Sequence, residues 1–476
     1  MIVTILLWGA YFALFAFLVS KGRRHDLVLS GPVSFGVQSF AYVATYISAV
    51  ALVGFGGLAY CYGLQMLLIA AGNVWLGTWA VYRFLAWPTR SWQQRLGART
   101  PAQLLSMGHN SPALGKALAL LFALFLGVYA SGVIKGAALL LGEIVPLPLS
   151  ALIWLVALLV GTAVFVGGLR GVLYTEAMQG VVMLMGMMML TGAVLSRVGG
   201  PLEGIRALSL LAPTAQANHG FTSLSGDGQG LFILSLTIVT SVAVWAQPQM
   251  IQRHFALASP KQLSRITPLA MLILTVLVGG AYFISSLSRL ILPEVSSPDA
   301  VMPLLVKTLL PDFALQLFVL AIVSASLSTA TAVFHIAVSS LTEDLFKAKG
   351  NRVIWFAGIA LCVLVSAFCA HMKGQLVALL CTTSWSIVGS AALTPYLALV
   401  CRNRRHAPAA ICSALAGFIV CMGWYLLVYR STAVVPPMLG PGAAQIPPFF
   451  VGFAASLAGW LLGLCLPHNN TQQPAN

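Results

Sequence analysis

Long apolar runs separated by short polar segments dominate this chain. A bilayer core about 30 Å thick needs roughly 20 apolar residues per spanning helix. The runs that satisfy this length predict thirteen helices, near residues 2–20, 34–62, 64–87, 113–141, 149–168, 174–196, 229–252, 267–291, 312–343, 353–371, 376–400, 408–429 and 447–466. The pattern predicts an all-α polytopic membrane protein whose main solvent is the lipid bilayer.

Composition supports this prediction, because 59% of the 476 residues are hydrophobic and only 7% are charged. These fractions lie far outside the range of soluble domains. The first apolar run has no basic segment before it and no small-residue cleavage site, so we expect a retained helix rather than a signal peptide. The intervening polar stretches are short, which predicts one membrane domain over residues 1–476.

The net charge of +15 is consistent with nucleic-acid binding, but the basic residues alternate between the two sets of loops. One set holds Lys21, Arg23, Arg24, Arg83, Arg90, Arg95, Arg99, Lys116, Arg170, Arg253, Lys261, Arg265, Lys347, Lys349, Arg352, Arg402, Arg404 and Arg405; the other holds Arg197, Arg206, Arg289, Lys307, Lys373 and Arg430. Basic loops face the cytoplasm. We therefore predict a cell inner membrane protein with its N-terminus outside and its C-terminus inside, and no nucleic-acid partner.

Enzyme chemistry finds little support in the sequence. The eight cysteines form no Cys-x-x-Cys pair, so neither a zinc site nor a disulfide framework is predicted. All ten carboxylates fall in loops or near the ends of predicted spans, which argues against both a proton relay at depth and a pair of catalytic acids. We expect no enzyme activity, no organic cofactor and no obligate protein partner.

The ninth predicted span carries the richest set of polar side chains. Its segment "SASLSTATAVFH" places Ser324, Ser328, Thr331 and His335 near one helical face, with Thr329 adjacent. Neutral hydroxyls and freed backbone carbonyls are sufficient ligands for sodium. Hydroxyls in membrane helices also bond back to the preceding turn, so both readings stay open for each residue. His335 is expected to make a polar contact rather than bind a metal.

Two further features have alternative interpretations. Gly54, Gly56 and Gly57 interrupt the second span, which indicates either local unwinding or close helix packing. Lys135 is the one basic residue well inside a predicted span, where it is either a counter-ion for an anionic solute or a side chain that extends to the membrane interface.

Five segments in order resemble the sodium:solute symporter family, which includes proline, pantothenate, monocarboxylate and sugar symporters. They are "ATYISAVALVGFGGLAYCYG", "RTPAQLL", "VFVGGLRGVLYTEAMQGVVMLMG", "AQPQMIQRHFA" and "SASLSTATAVFHIAVSSLTEDLF". The resemblance covers residues from about 30 to 430. It implies a leucine-transporter-type fold with a five-plus-five inverted repeat in the second to eleventh spans. By this interpretation residues 1–30 form a peripheral first helix and loop, 31–405 the repeat core and 406–476 peripheral C-terminal helices with a short tail.

The resemblance also implies site residues. Sodium, the coupling ion, would be held by the backbone carbonyls of Ala44, Ile47 and Ala325 and by the hydroxyls of Ser328 and Thr329. Tyr46 stands where the proline symporter has an aspartate. The family's Thr-Asp pair is Thr175-Glu176 here, which we interpret as helix capping and dipole compensation.

Substrate contacts are expected from the broken second span, the fourth span and the seventh. The candidate residues are Ser48, Ala49, Ser131, Lys135, Thr240, Val244 and Trp245. Trp245 alternatively packs or faces lipid. The hypothesis is sodium-coupled symport of a small carboxylate-bearing solute, such as a monocarboxylate, pantothenate or an amino acid. The alternatives are a solute sensor with the same fold and a sodium-independent carrier.

Overall fold

The computed structural model describes residues 2–21, 27–142, 144–224, 230–372, 377–429, 443 and 446–467. The described residues form helices and no strand. The α-helices are α1 (Ile2–Ser20), α2 (Phe35–Tyr46), α3 (Phe55–Tyr62), α4 (Leu67–Val74), α5 (Ala86–Leu96), α6 (Pro101–Gly108), α7 (Pro112–Leu141), α8 (Leu149–Arg197), α9 (Pro201–Ser209), α10 (Gly230–Ser241), α11 (Pro248–His254), α12 (Leu263–Leu274), α13 (Gly280–Leu287), α14 (Val301–Leu309), α15 (Asp312–Ser339), α16 (Arg352–Ala370), α17 (Val377–Arg402), α18 (Ala407–Leu427) and α19 (Pro448–Leu464).

Shorter helical turns join several of these elements. π-Helices cover Val50–Gly54, Trp75–Leu85, Thr275–Gly279 and Ser340–Leu345. Five 3₁₀ turns cover Gly63–Met66, Ala243–Ala246, Pro260–Gln262, Ser288–Leu290 and Pro298–Ala300. Three of the π-helices follow directly on an α-helix, at Trp75–Leu85, Thr275–Gly279 and Ser340–Leu345. They therefore lengthen a span rather than end it.

Two continuous helical runs are too long for one membrane crossing. Val50–Leu96 and Leu149–Arg197 contain 47 and 49 residues, about 70 Å each at 1.5 Å per residue. Each run contains one glycine with left-handed φ, Gly63 at +71° and Gly168 at +52°. An L-residue rarely adopts this conformation, so each glycine permits a reversal of the chain.

Side-chain contacts show that the chain does reverse at Gly168. Before it, Trp154 contacts His371 and Phe165 contacts Phe356, so the first half of α8 runs antiparallel to α16. After it, Gln179 and Ser324 both bond to the Tyr11 hydroxyl and Gly186 lies against Ala321, so the second half of α8 runs antiparallel to α15. Helix α15 is antiparallel to α16 because the two are consecutive and joined by a short turn.

The same reversal occurs at Gly63. The Tyr42 and Tyr82 rings lie 4.8 Å apart, and Tyr46 contacts Gly77, so the segment after Gly63 runs back along α2. With both long runs counted as two crossings, each of the thirteen predicted spans has a helical counterpart among the described residues. Among the described residues, eight helical runs are each long and apolar enough to cross a membrane. One bent pair of helices is long and apolar enough when its two helices are taken together.

Two spans are discontinuous near their middle. Helix α2 ends at Tyr46, Ile47 is extended with φ −101° and ψ 130°, and helical structure restarts at Val50. In the seventh span, α10 gives way to the 3₁₀ turn Ala243–Ala246, and the chain bends by 53° before α11. These are the first spans of the two five-span repeats, which is where inverted-repeat transporters place their binding sites.

Helix α15 lies at the centre of the molecule, packed against α7, α8 and α2. Every residue from Phe318 to Ser339 is buried. The C-terminal helices α18 and α19 pack on each other and on α17. Their backbones approach closely at glycines: a Cβ on Gly463 would lie 2.4 Å from the Ala409 Cα atom.

Candidate functional site

Helices α2 and α15 meet where α2 ends. The Ser328 hydroxyl donates to the Ala44 carbonyl at 2.8 Å and lies 2.9 Å from the Ala325 carbonyl. The Thr329 hydroxyl lies 3.1 Å from the Ile47 carbonyl and 3.2 Å from that of Ala44. The structure thus brings all five predicted sodium ligands together, on atoms that are fully or almost fully buried.

The carbonyls are available because of the local backbone. The last carbonyls of an α-helix have no intrahelical partner. In α2 this deficit falls in the protein interior, since the chain is extended at Ile47 and the helix restarts only at Val50. Ala44 and Ala325 have only methyl side chains, which allows the two backbones to approach within reach of the hydroxyls.

The site contains more carbonyl oxygens than hydroxyl protons that could bond to them. A hydroxyl carries one proton, so Ser328 and Thr329 supply two. Four carbonyls lie within hydrogen-bond distance of these two hydroxyls, those of Ala44, Ile47 and Ala325 and that of Thr45, which is 3.4 Å from the Thr329 hydroxyl. A buried carbonyl without a full donor costs free energy. A hard cation such as sodium prefers a set of neutral oxygens of this kind, so the residues fit the ion.

The other polar residues of the ninth span lie elsewhere. The Ser324 hydroxyl donates to Tyr11 on α1 at 2.9 Å. The Thr331 hydroxyl bonds back to the Leu327 carbonyl of its own helix at 2.6 Å. A ring nitrogen of His335 lies 2.6 Å from the Leu27 carbonyl, the polar contact that the sequence predicted. Only Ser328 and Thr329 reach the broken span.

A buried ion pair of Glu176 and Arg253 lies behind this site, and it differs from what the sequence predicts for both residues. Glu176 was interpreted as a helix cap and Arg253 was assigned to a loop. Instead, Glu176 is 0% and Arg253 1% exposed, and their side chains form an ion pair. The second half of α8 is helical from Leu169 onward, so Glu176 lies about two turns inside that span. Arg253 also donates from Nε to the Thr45 hydroxyl at 3.0 Å, which connects the pair to the end of α2.

A second polar cluster joins the two broken spans. The Tyr46 hydroxyl donates to the Thr240 carbonyl at 2.6 Å, where α10 ends. The hydroxyls of Thr240 and Ser241 donate to the Asn73 side-chain oxygen at 2.9 and 3.0 Å. We call Tyr46, Asn73, Thr240 and Ser241 the bridging cluster. Asn73 is not among the predicted site residues, although an asparagine inside the apolar run 64–87 is itself a signal.

The remaining solute candidates fall into two groups. Ser48 and Ala49 lie at the break, and the Ser48 hydroxyl accepts the Val50 N–H at 3.2 Å, which caps the second half of the span. Ser131 is buried on α7, which packs against the same half-helix, and its hydroxyl donates to the Val128 carbonyl. Val244 is buried in the bend of the seventh span.

Lys135 and Trp245 are placed differently. Lys135 is half-buried on α7, one turn beyond Ser131. The Trp245 indole donates to the Leu76 carbonyl at 3.0 Å and lines a lateral apolar groove with residues that include Phe84. Trp245 therefore lies at the flank of the bundle, and its role in the solute site stays a prediction.

His, Cys, Asp and Glu side chains are dispersed in the described part of the chain. No group of three or more His, Cys, Asp or Glu residues there has the arrangement of a metal site. All eight cysteines are free.

The known proteins that this chain resembles belong to one family. The sequence pattern of the sodium:solute symporter family matches residues 31–417. The sodium/pantothenate symporter of Haemophilus influenzae is 28% identical over 342 residues, which is 69% of this chain and 69% of that protein. The sodium/proline symporter of the same organism is 25% identical over 348 residues, 68% of this chain and 67% of that one. These relatives are transporters.

A solved structure extends the comparison to the fold. A Na⁺-coupled sialic acid symporter in a substrate-bound outward-open state superposes with a TM-score of 0.77, over 98% of this chain and 99% of that chain. The two sequences are only 15% identical, so the likeness concerns the fold. It confirms the predicted all-α, leucine-transporter-type architecture.

Proposed function

This chain belongs to the sodium:solute symporter family, and from that premise we propose that it imports a small carboxylate-bearing solute together with sodium by alternating access. Monocarboxylates, pantothenate and amino acids are the solute classes in question. The observation that carries the sodium assignment is the convergence of Ala44, Ile47, Ala325, Ser328 and Thr329 between the second and ninth spans.

Coupling follows from the position of these ligands. A ligand shifts a conformational equilibrium only by its differential affinity for the two states. Sodium bound at this point would hold α15 against the end of α2, and so would stabilise the state in which both are close. The break in α2 also carries Ser48 and Ala49, the first solute candidates. Sodium would thereby order the solute site and raise the affinity for the solute. By thermodynamic linkage, solute binding would raise the affinity for sodium by the same factor.

The solute class rests on two supports. The restarted half of the second span presents the N-terminal end of a helix dipole, and such ends attract anionic groups of substrates in discontinuous-helix transporters. Lys135 supplies a cation on the neighbouring helix α7. In addition, the relatives described above carry pantothenate and proline by name, and both of these molecules have a carboxylate.

We propose the same membrane arrangement that the basic loops predict. The chain lies in the inner membrane with its N-terminus outside and its C-terminus in the cytoplasm. Residues 31–405 form the transport core, whereas 1–30 and 406–476 are peripheral. Cysteine labelling of single exposed sites in intact cells tests this orientation.

Uptake into proteoliposomes tests the function. The experiment measures accumulation of labelled monocarboxylates, pantothenate and amino acids with and without an inward sodium gradient. We expect one class to accumulate only with the gradient. Accumulation without it would identify a sodium-independent carrier, and solute binding without any accumulation would identify a sensor.

A matched pair of serine variants separates the ion site from general effects on α15. Ser328→Ala removes a hydroxyl that contacts α2, whereas Ser326→Ala removes a buried hydroxyl with no hydrogen-bond partner among the described residues. We expect only Ser328→Ala to raise the sodium concentration for half-maximal uptake. Equal effects of both substitutions would contradict the proposed ligand.

A further inference from the structure

We propose that the lateral groove between the third, eleventh and thirteenth spans binds an anionic phospholipid, with one acyl chain in the groove and the phosphate at Arg402. The groove encloses about 490 Å³. This size is within the roughly 300–1,000 Å³ that is usual for ligand pockets. It is distinct from the ion site and does not depend on the proposed function.

The walls of the groove are almost entirely apolar. They come from the π-helix Trp75–Leu85, from α17 and from α19, and the chief lining side chains are Phe84, Leu397, Phe453, Leu457 and Trp460. Phe84 is 52% and Leu457 44% exposed, so the groove opens on the flank of the helical bundle. In the bilayer that flank meets lipid tails, which are apolar like the walls of the groove.

One end of the groove is basic. Arg402, the last residue of α17, lines the groove and forms no ion pair with the described part of the chain. The Arg83 guanidinium lies 5.3 Å from the centre of the Phe84 ring, itself a wall of the groove. Basic pockets between membrane helices at their cytoplasmic ends recognise anionic headgroups. An arginine guanidinium binds phosphate oxygens through paired hydrogen bonds.

A lipid suits this site better than a second copy of the chain, because a second copy would have to bring a carboxylate to Arg402. At this end of the molecule the described carboxylates are already held. Glu343 pairs with Arg99 at 2.9 Å, and Asp344 accepts from Thr100 and from Gln103. Phospholipid phosphates are abundant at the same membrane level.

Native mass spectrometry of the purified full-length protein tests the proposal. The probes are phosphatidylglycerol and phosphatidylcholine with identical acyl chains. We expect wild type to retain phosphatidylglycerol preferentially, and Arg402→Gln to weaken that binding roughly fivefold, the change associated with one basic residue near an anionic membrane. Ala398→Trp fills the groove and should reduce binding of both lipids. If Ala398→Trp does not fold, Leu457→Trp replaces it in the test, because it narrows the groove from an exposed wall position.

A second lateral groove supplies matched controls. It encloses about 370 Å³ and is lined by residues that include Leu341, Val353 and Ala357, with no basic side chain. Ala357→Trp and the nearby exposed Lys349→Gln should leave phosphatidylglycerol binding unchanged. Equal retention of the two lipids by wild type would overturn the proposal, as would equal effects of Arg402→Gln and Lys349→Gln. A change of oligomeric mass in Arg402→Gln would also overturn it, because it would assign the face to a second copy.

Discussion

The Thr329 hydroxyl lies 3.1 Å from the carbonyl oxygen of Ile47, the residue at which α2 becomes extended. The same hydroxyl lies 3.2 Å from the carbonyl of Ala44, inside the last turn of α2. One side chain of α15 therefore contacts both sides of the point where the second span unwinds. An ion bound there senses the conformation of the break, so a change in that break changes the affinity for the ion.

Thr329→Ala is expected to weaken sodium binding and to leave the choice among solutes nearly unchanged. Loss of one hydrogen-bonding group to a charge costs about 1.5–3 kcal/mol, which corresponds to roughly a tenfold or larger rise in the half-maximal sodium concentration. Uptake as a function of sodium measures this change. Thr331→Ala is the control, because its hydroxyl bonds only within α15. An unaltered sodium dependence would remove Thr329 from the site.

Gly77→Ala tests the contact between the two broken spans. A Cβ at this position would lie 2.1 Å from the Tyr46 hydroxyl oxygen, so the Tyr46 ring would have to move and would lose its bond to the Thr240 carbonyl. Overpacking of this kind costs about 1–3 kcal/mol. We expect a lower unfolding temperature and a lower uptake rate.

Gly192→Ala provides the comparison for Gly77→Ala, since the added methyl group would meet no atom of the described residues beyond its own helical turn within 4 Å. A second variant, Gly77→Ala with Tyr46→Phe, removes the hydroxyl that the new methyl group meets most closely and leaves the ring in place. If the bridging cluster matters for transport, the double variant recovers part of the thermal stability but not the uptake. Full recovery of uptake would show that the Tyr46 hydroxyl is not needed for transport.

The spans were predictable from the sequence because a fixed bilayer thickness imposes a fixed length of apolar chain. Even the two long helical runs were divided at Gly63 and Gly168, because each contains more apolar chain than one crossing needs, and the alternation of the basic loops agrees with that division. The ion ligands were found through the hydroxyl-rich segment around Ser328 and through the family resemblance. Hydropathy alone would not have selected the carbonyls of Ala44 and Ile47, since any residue has a carbonyl.

The pairings between spans were not predictable, because hydropathy gives no register between helices. Glu176 and Arg253 lie 77 positions apart and each seemed close to the end of an apolar run. Only the packed structure shows that they meet in the interior. Asn73 was missed for a related reason, since its three hydroxyl neighbours come from two other spans.

Lys135→Gln tests the proposed counter-ion. If Lys135 pairs with the solute carboxylate, removal of its charge should raise the KM for the carboxylate solute about tenfold, the cost of a lost charge-assisted hydrogen bond. Uptake of the corresponding carboxamide should change little, and Lys135→Arg should retain most of the affinity. Lys116→Gln, an exposed position on the same helix, is the control. Equal kinetics of Lys135→Gln and Lys116→Gln would exclude Lys135 from the solute site.

The ion pair of Glu176 and Arg253 predicts a strongly non-additive mutant cycle. Glu176→Leu leaves a buried unpaired guanidinium and Arg253→Met leaves a buried unpaired carboxylate, and each should cost about 3–5 kcal/mol of stability. The double variant leaves neither charge and should be close to wild type, because apolar replacement of a buried pair is often neutral. Thermal unfolding in one detergent measures all four proteins.

The exposed pair of Glu203 and Arg206 gives the reference for this cycle. Its side chains are 58% and 74% exposed at 2.6 Å, and pairs of this kind contribute little to stability. The same four-protein cycle at Glu203 and Arg206 should therefore show almost no coupling. If the cycle at Glu176 and Arg253 also showed almost no coupling, the pair would not hold α8 against α11. If instead the double variant were stable but needed more sodium for uptake, the bond from Arg253 to the Thr45 hydroxyl would account for it, since that bond positions the end of α2.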